Sequence, residues 1–118
     1  DVDCWLVNTG WTGGKFGEGT RMPIKVTRAL LDAALSGDLK HQAMRVDSVF
    51  GFEVPVAMAG IDPKVMTPRD TWRNPAAYDE TAAKLAAMFH ENFAKFVRYV
   101  DADVVRAGPS IGRAAAAE

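Results

Sequence analysis

A glycine-dense loop between an apolar run and an amphipathic helix constrains this chain more than any other feature. The apolar run is Trp5–Val7, and the loop carries four glycines between residues 13 and 19. Such density excludes regular structure through the loop and favours positive φ or close backbone approach. The stretch from Trp5 to Gly37 therefore predicts a buried strand, a loop and a helix, an arrangement that presents backbone N–H groups to an anion.

The helix after the loop is predicted from the residues that mark its two ends and from the spacing of its apolar residues. Pro23 fits the first turn, where the missing N–H costs nothing, and Gly37 fits the C-terminal cap. Thr27 should fall within about one turn of Pro23, close to the loop. The apolar stripe consists of Ile24, Ala29, Leu30, Leu31, Ala34 and Leu35.

The loop matches neither of the two best-known phosphate-binding patterns. Phe16 stands where a Walker A motif needs Ser or Thr, and Met22 stands where GxGxxG needs its third glycine. On the residues alone, a structural hairpin or turn is favoured over a ligand loop. Trp11 and Phe16 are expected to pin the loop by burying their rings.

The rest of the chain predicts short elements followed by one long helix. Val49–Pro55 favours one or two short strands, and Asp62-Pro63 caps a very short helix ending near Met66. Residues 67–70 indicate a turn. Asn74-Pro75 opens a helix to about Tyr99, with apolar residues at three- and four-residue steps.

Composition excludes several classes of function. With 14 basic and 15 acidic residues the net charge is −1, so no basic face points to nucleic acid. No apolar run is long enough to cross a bilayer, which argues against a membrane partner. A lone cysteine, Cys4, favours a reduced, cytoplasmic setting and is read as a small core residue. The start at Asp1, close to a predicted strand, suggests a piece of a longer chain, with exposed apolar surface or self-association as a consequence.

No reaction centre emerges from the residue types. Arg21 at the loop end is suited to forking onto phosphate or stacking over a base, although a solvated or ion-paired arginine is the commoner case. His90-Glu91 lacks the second histidine of HExxH and is read as helix surface. The acidic residues form no convincing acid–base pair. We therefore predict no catalytic residue and no metal ligand in this chain.

Four separated segments carry a family resemblance. They are WLVNTGWTGG, GEGTRMPIKVTRALLDAALSG, VFGFEVP and PRDTW, and they follow one another in that order. Between roughly Cys4 and Phe96 the chain resembles the C-terminal part of ATP-dependent phosphoenolpyruvate carboxykinase. The resemblance implies an α/β fold, namely a fragment of a mononucleotide-binding, P-loop-type domain with a few short strands and two main helices, the longer near the C-terminus. Residues 1–100 would form this portion, and residues 101–118 a flexible tail.

The resemblance also implies an activity and a set of contacts. Members of the family are cytoplasmic lyases of gluconeogenesis that convert oxaloacetate and ATP to phosphoenolpyruvate, ADP and carbon dioxide, with Mg²⁺ and often Mn²⁺. Their R-[IM]-x-I-K-x-T-R motif falls on Arg21, Met22 and Thr27, positions that contact ATP around its adenosine end. The implied partners are ATP, oxaloacetate or phosphoenolpyruvate, and the remainder of the carboxykinase chain.

Departures and missing parts limit what this segment does by itself. Thr20 stands where many members carry a basic residue, which lowers the local positive charge, and Pro23 and Val26 also differ from frequent family residues. The family's P-loop, its metal ligands and its oxaloacetate-binding arginine have no counterpart here, so the isolated chain is predicted to be inactive. Two alternatives stay open: a structural or interaction module without nucleotide affinity, and an unrelated phosphate-binding domain.

Overall fold

The computed structural model describes residues 2–110 and shows an α/β fold of short strands and four α-helices. The strands are β1 (Trp11–Thr12), β2 (Thr20–Arg21), β3 (Met44–Val46) and β4 (Glu53–Pro55). The α-helices are α1 (Ile24–Ser36), α2 (Pro68–Thr71), α3 (Pro75–Phe93) and α4 (Ala102–Arg106), and 3-10 helices span Asp38–His41, Pro63–Met66 and Val97–Tyr99. The predicted pair of main helices, with the longer nearer the C-terminus, is confirmed.

The chain divides into two compact units. The first unit comprises residues 1–44 and 55–75, and the second comprises residues 45–54 and 76–118. Strands β1 and β2 form one two-stranded sheet, and β3 and β4 form another. Of the strands predicted within Val49–Pro55, β4 ends at Pro55 as expected, whereas β3 lies in a segment for which the sequence predicts no strand.

Helix α1, in the first unit, begins one residue later than predicted. Pro23 is the N-cap rather than the first helical residue, with φ −58° and ψ 134°. Gly37 ends the helix at φ 89°, a left-handed conformation that glycine adopts without steric cost. The predicted glycine cap is therefore confirmed.

The apolar stripe of α1 is largely open to solvent. The buried residue of this helix is Ala33, which lies outside the predicted stripe, whereas the stripe residues Ile24 and Leu35 are 69% and 86% exposed. A helix stabilised by its amphipathic face normally buries that face against another layer. The expectation of exposed apolar surface is thus confirmed for this chain.

The predicted strand at Trp5–Val7 is wrong. Within the described residues this run pairs with no other strand, and Leu6 is 82% exposed. A strand needs a hydrogen-bonded neighbour for its backbone groups, and apolar, β-branched residues do not supply one. Cys4, interpreted as a core residue, is likewise exposed.

The turn after Asp47 and helix α3 build the core of the second unit. Val49, Ala82 and Ala86 are buried together, with Phe50 and Tyr78 packed against them. The rings of Phe50 and Phe89 pack edge to face with their centroids 6.4 Å apart, a geometry that aromatic pairs favour.

Helix α3 ends earlier than the predicted Tyr99. The Ala94 N–H still bonds to the His90 carbonyl four residues back, but the Phe96 N–H bonds to Phe93, only three back. The helix therefore tightens into a turn and then a 3-10 helix at Val97–Tyr99. Part of the predicted tail forms α4, the predicted alanine-rich end lies outside the described residues, and flexibility of the tail stays a prediction.

Two short helices lie between residues 62 and 71, and each begins with a proline. The Asp62 carboxylate accepts from the Lys64 N–H at 3.0 Å, which confirms the predicted cap of Pro63–Met66. Residues 67–70, predicted as a turn, instead lead into the single helical turn α2, which has Pro68 at its start. Proline suits that position because its fixed φ is already helical.

Candidate functional site

The candidate site is built on a small hairpin in the first unit. Strands β1 and β2 run antiparallel, with Trp11 opposite Arg21 and Thr12 opposite Thr20. The Met22 N–H continues the ladder by donating to the Gly10 carbonyl at 2.7 Å. The hairpin favoured on sequence grounds is confirmed, and it holds the backbone of Arg21 and Met22.

Glycine closes the loop of this hairpin where no other residue fits. A Cβ on Gly19 would lie 2.5 Å from the Thr12 carbonyl oxygen and 2.8 Å from the Gly14 nitrogen. Gly13 and Gly17 have φ of 80° and 91°. The loop is thus a tight backbone structure, in which the Lys15 carbonyl accepts from both Glu18 and Gly19.

The aromatic residues of the loop do not anchor it by burial, contrary to the prediction. Trp11 and Phe16 pack against each other edge to face, with ring centroids 5.0 Å apart. Phe16 nevertheless remains 82% exposed and Trp11 37% exposed. Their contact joins β1 to the loop without burying either ring.

Two residues connect the hairpin to the start of α1. After Arg21 come Met22 and the N-cap Pro23, whose carbonyl accepts from the Thr27 N–H at 3.1 Å. Thr27 therefore lies in the first turn of the helix. No side chain caps this end of α1, and its first turn holds no acidic residue.

The charges around the helix start favour an anion. Arg21, Lys25 and Arg28 are exposed, and the N-terminus of α1 adds the positive end of its macrodipole. Within residues 2–110 the guanidinium of Arg21 forms no ion pair, and the Thr27 hydroxyl has no hydrogen-bond partner. Both groups are therefore available to an incoming ligand.

The three predicted site residues differ in how open they are. Arg21 is exposed and Thr27 is half-buried. Met22 is buried, with 7% of its surface exposed, so it offers a ligand the least area of the three. The structure places all three in the first unit, within the junction between β2 and the first turn of α1.

Helix α2 braces the hairpin, a contact that sequence reasoning missed. The Thr12 hydroxyl donates to the Thr71 hydroxyl at 3.5 Å, and Thr71 donates to the Pro68 carbonyl at 2.6 Å. The sequence signal for this contact is the PRDTW segment, which carries part of the family resemblance and contains Thr71.

The described part of the chain shows neither a metal-ligand cluster nor a helix suited to span a membrane. No group of three or more histidine, cysteine, aspartate or glutamate side chains is placed to hold a metal ion there. His90 is exposed on α3 and contacts the Pro109 carbonyl, and His41 is exposed in a 3-10 helix. None of the helices in residues 2–110 is long and apolar enough to cross a membrane.

Comparison with known proteins points to one family. The family model described as phosphoenolpyruvate carboxykinase matches residues 1–64. The phosphoenolpyruvate carboxykinase (ATP) of Parvibaculum lavamentivorans is 60% identical over 114 residues, which are 97% of this chain and 21% of that protein. The protein of the same name from Chelativorans sp. is 58% identical over 115 residues, 98% of this chain and 22% of that one. The one from Azorhizobium caulinodans is 60% identical over 114 residues, with 97% and 21% covered. The chain therefore spans about a fifth of the length of these curated relatives.

Proposed function

Since the chain belongs to the family of ATP-dependent phosphoenolpyruvate carboxykinases, we propose that it supplies the adenosine-side ATP contacts of such an enzyme. The enzyme converts oxaloacetate and ATP to phosphoenolpyruvate, ADP and carbon dioxide, a decarboxylating phosphoryl transfer of gluconeogenesis. The observation that carries the proposal is the junction of β2 and α1, where Arg21 and Thr27 lie within one turn of a helix start.

Each of the three residues has a proposed contact. The exposed guanidinium of Arg21 reaches ribose or phosphate oxygens, because its fork of donors suits them. Thr27 offers a hydroxyl from the first helical turn. Met22 lies against the base, and because 93% of its surface is covered the base must rest on the small part that remains open. Together these contacts hold the nucleoside while the phosphates extend elsewhere.

The reacting groups belong to other segments of the enzyme. Phosphoryl transfer depends on positioning and on metal electrostatics around the phosphates. We assign the Mg²⁺ and Mn²⁺ ligands, the P-loop and the oxaloacetate-binding arginine to the remainder of the carboxykinase chain, and residues 2–110 show no cluster of metal ligands that would compete with this assignment. We place the enzyme in the cytoplasm and this segment in its mononucleotide-binding, P-loop-type domain.

Calorimetric titration with Mg-ATP tests the proposed contacts. The wild-type chain is expected to release or absorb heat, and Arg21→Ala to bind roughly 10- to 100-fold more weakly, since a charge-assisted hydrogen bond is lost. Arg98→Ala, which removes the same charge from an exposed position in the second unit, is the matched control and should bind like the wild type.

The second candidate is a structural or interaction module without nucleotide affinity. The observation in its favour is the exposed apolar surface of α1, including Ile24 and Leu35, because such surface is typical of protein contacts. Under this alternative neither the wild type nor Arg21→Ala gives heat with Mg-ATP. Equal weakening by Arg21→Ala and Arg98→Ala would instead indicate non-specific charge attraction and contradict both candidates.

A further inference from the structure

Helix α2 and the hairpin meet through a directed pair of hydroxyl groups, although Thr12 and Thr71 are 59 residues apart in the chain. The Thr71 hydroxyl has one proton, which it donates to the Pro68 carbonyl at 2.6 Å. Its oxygen is then free to accept from Thr12 at 3.5 Å. Thr71 thus serves as acceptor and donor at once, which valine cannot do and serine can.

The backbones approach closely at the same place. Gly13 has φ 80°, and a Cβ there would lie 3.3 Å from the Thr71 carbonyl oxygen. This distance is tighter than most contacts of a Cβ, so a side chain at residue 13 would require the Thr71 carbonyl to move by a few tenths of an ångström. Helix α2 is therefore in direct contact with the hairpin at Thr12 and at Gly13.

The hairpin needs such outside support. It is a two-stranded sheet with two residues in each strand, and an isolated two-stranded hairpin is marginally stable in water. Thr12 pairs directly with Thr20, the neighbour of Arg21. Thr12 therefore lies one ladder position away from the Trp11–Arg21 pair.

We infer that Thr71 is a positioning residue for ATP: its hydroxyl fixes Thr12, and through the β1–β2 pair it sets where Arg21 lies. The inference rests on the proposed function, because it takes Arg21 to be an ATP contact. Thr71 itself touches no substrate. Its loss should weaken ATP binding without altering the reacting groups, which lie outside this segment in the proposed enzyme.

The test uses a full-length carboxykinase that carries this segment. Thr71→Val keeps the shape and removes the hydroxyl, and Thr12→Val removes its partner. Each is expected to raise KM for ATP roughly 3- to 10-fold, as for one lost hydrogen bond, with kcat and the KM for oxaloacetate unchanged. Thr71→Ser should restore the wild-type KM.

A matched control separates positioning from a general loss of stability. Thr81→Val in α3 also removes a hydroxyl that donates to a carbonyl, that of Ala77 at 2.8 Å. This variant should leave KM for ATP unchanged. Combined with Arg21→Ala, Thr71→Val should raise KM no further, because residues that act through one another are not additive.

The outcomes distinguish this inference from the proposed function. If Arg21→Ala raises KM for ATP while Thr71→Val does not, or if Thr71→Val and Arg21→Ala effects add, the positioning role is overturned and the proposed function stands. If Arg21→Ala itself leaves KM for ATP unchanged, the proposed function fails and the positioning role fails with it.

Discussion

At Gly19 the loop backbone passes so close to Thr12 that a Cβ would lie 2.5 Å from the carbonyl oxygen. The glycine density predicted a tight structure, but the sequence does not show which glycine the loop depends on. Gly17 has nothing within 4 Å of its Cβ position, so its requirement is conformational rather than steric. The structure of the hairpin, in which Gly19 but not Gly17 lies against the backbone of Thr12, is needed to tell these two requirements apart.

Gly19→Ala is therefore expected to open the hairpin. Steric conflict of this kind, with backbone atoms on the other side, typically costs about 1–3 kcal/mol. The measurement is native-state hydrogen exchange at the Met22 amide, which donates to Gly10 at 2.7 Å in the closed hairpin. Protection of that amide should fall.

Gly10→Ala is the matched control for this substitution. A Cβ at Gly10 meets its nearest neighbour, the Asn8 side-chain oxygen, at an ordinary 3.6 Å, so protection of the Met22 amide should change little. If Gly19→Ala and Gly10→Ala behave alike, the steric account of the loop is contradicted.

Elements whose partners are local were predictable, and those that need distant partners were not. Gly37, Asp62 and Pro75 mark helix ends that the structure confirms, because caps act within one turn. The strand expected at Trp5–Val7 needed a neighbour that the described residues do not supply, so it failed. Strand β3 was missed for the converse reason: its mixed, polar sequence becomes a strand by pairing with β4.

The turn between β3 and β4 depends on one carboxylate. Asp47 accepts from the N–H groups of Val49 and Phe50 at 3.1 and 2.7 Å, and its own N–H donates to Phe52 at 2.8 Å. Val49 is 5% exposed and belongs to the core of the second unit. The carboxylate therefore couples a turn to the packing of α3.

Asp47→Ala is expected to destabilise the second unit by about 1–3 kcal/mol, because it leaves two partly buried backbone donors without an acceptor. Asp47→Asn retains one acceptor oxygen and should cost less. Hydrogen exchange at the α3 amides near Ala82 and Ala86 measures the effect. Asp32→Ala, at an exposed position inside α1, is the control, and an equal loss of protection in both variants would contradict the role of the turn.

On the scale of the whole molecule, the chain spans about a fifth of the length of its curated relatives and folds as two compact units. The α/β class and the order of the main helices were predictable from caps and periodicity. The division into two units was not, because it depends on contacts between segments far apart in the chain. The assignment of Arg21, Met22 and Thr27 to ATP came from the family motif, and it stays a proposal that the exposed Arg21 and the half-buried Thr27 support more than the buried Met22 does.

The isolated chain is predicted to have no carboxykinase activity. Adenosine-side contacts position a nucleotide, but without groups that bind the phosphates and metal the transition state is not stabilised. The measurement is phosphoenolpyruvate formation from oxaloacetate and ATP with Mg²⁺ and Mn²⁺ present, beside the full-length Parvibaculum lavamentivorans relative as the active control. Metal-dependent turnover by the isolated chain would contradict the assignment of the reacting groups to other segments.

The central claim is that the junction of β2 and α1 holds the adenosine end of ATP, and amide chemical shifts in a nuclear magnetic resonance titration test it most directly. Adenosine alone and Mg-ATP are both predicted to move the amides of Arg21, Met22 and Thr27, while inorganic triphosphate alone, which lacks the nucleoside, moves them less. Shifts of these amides with triphosphate but not with adenosine, or no shift with any of the three ligands, would contradict the claim.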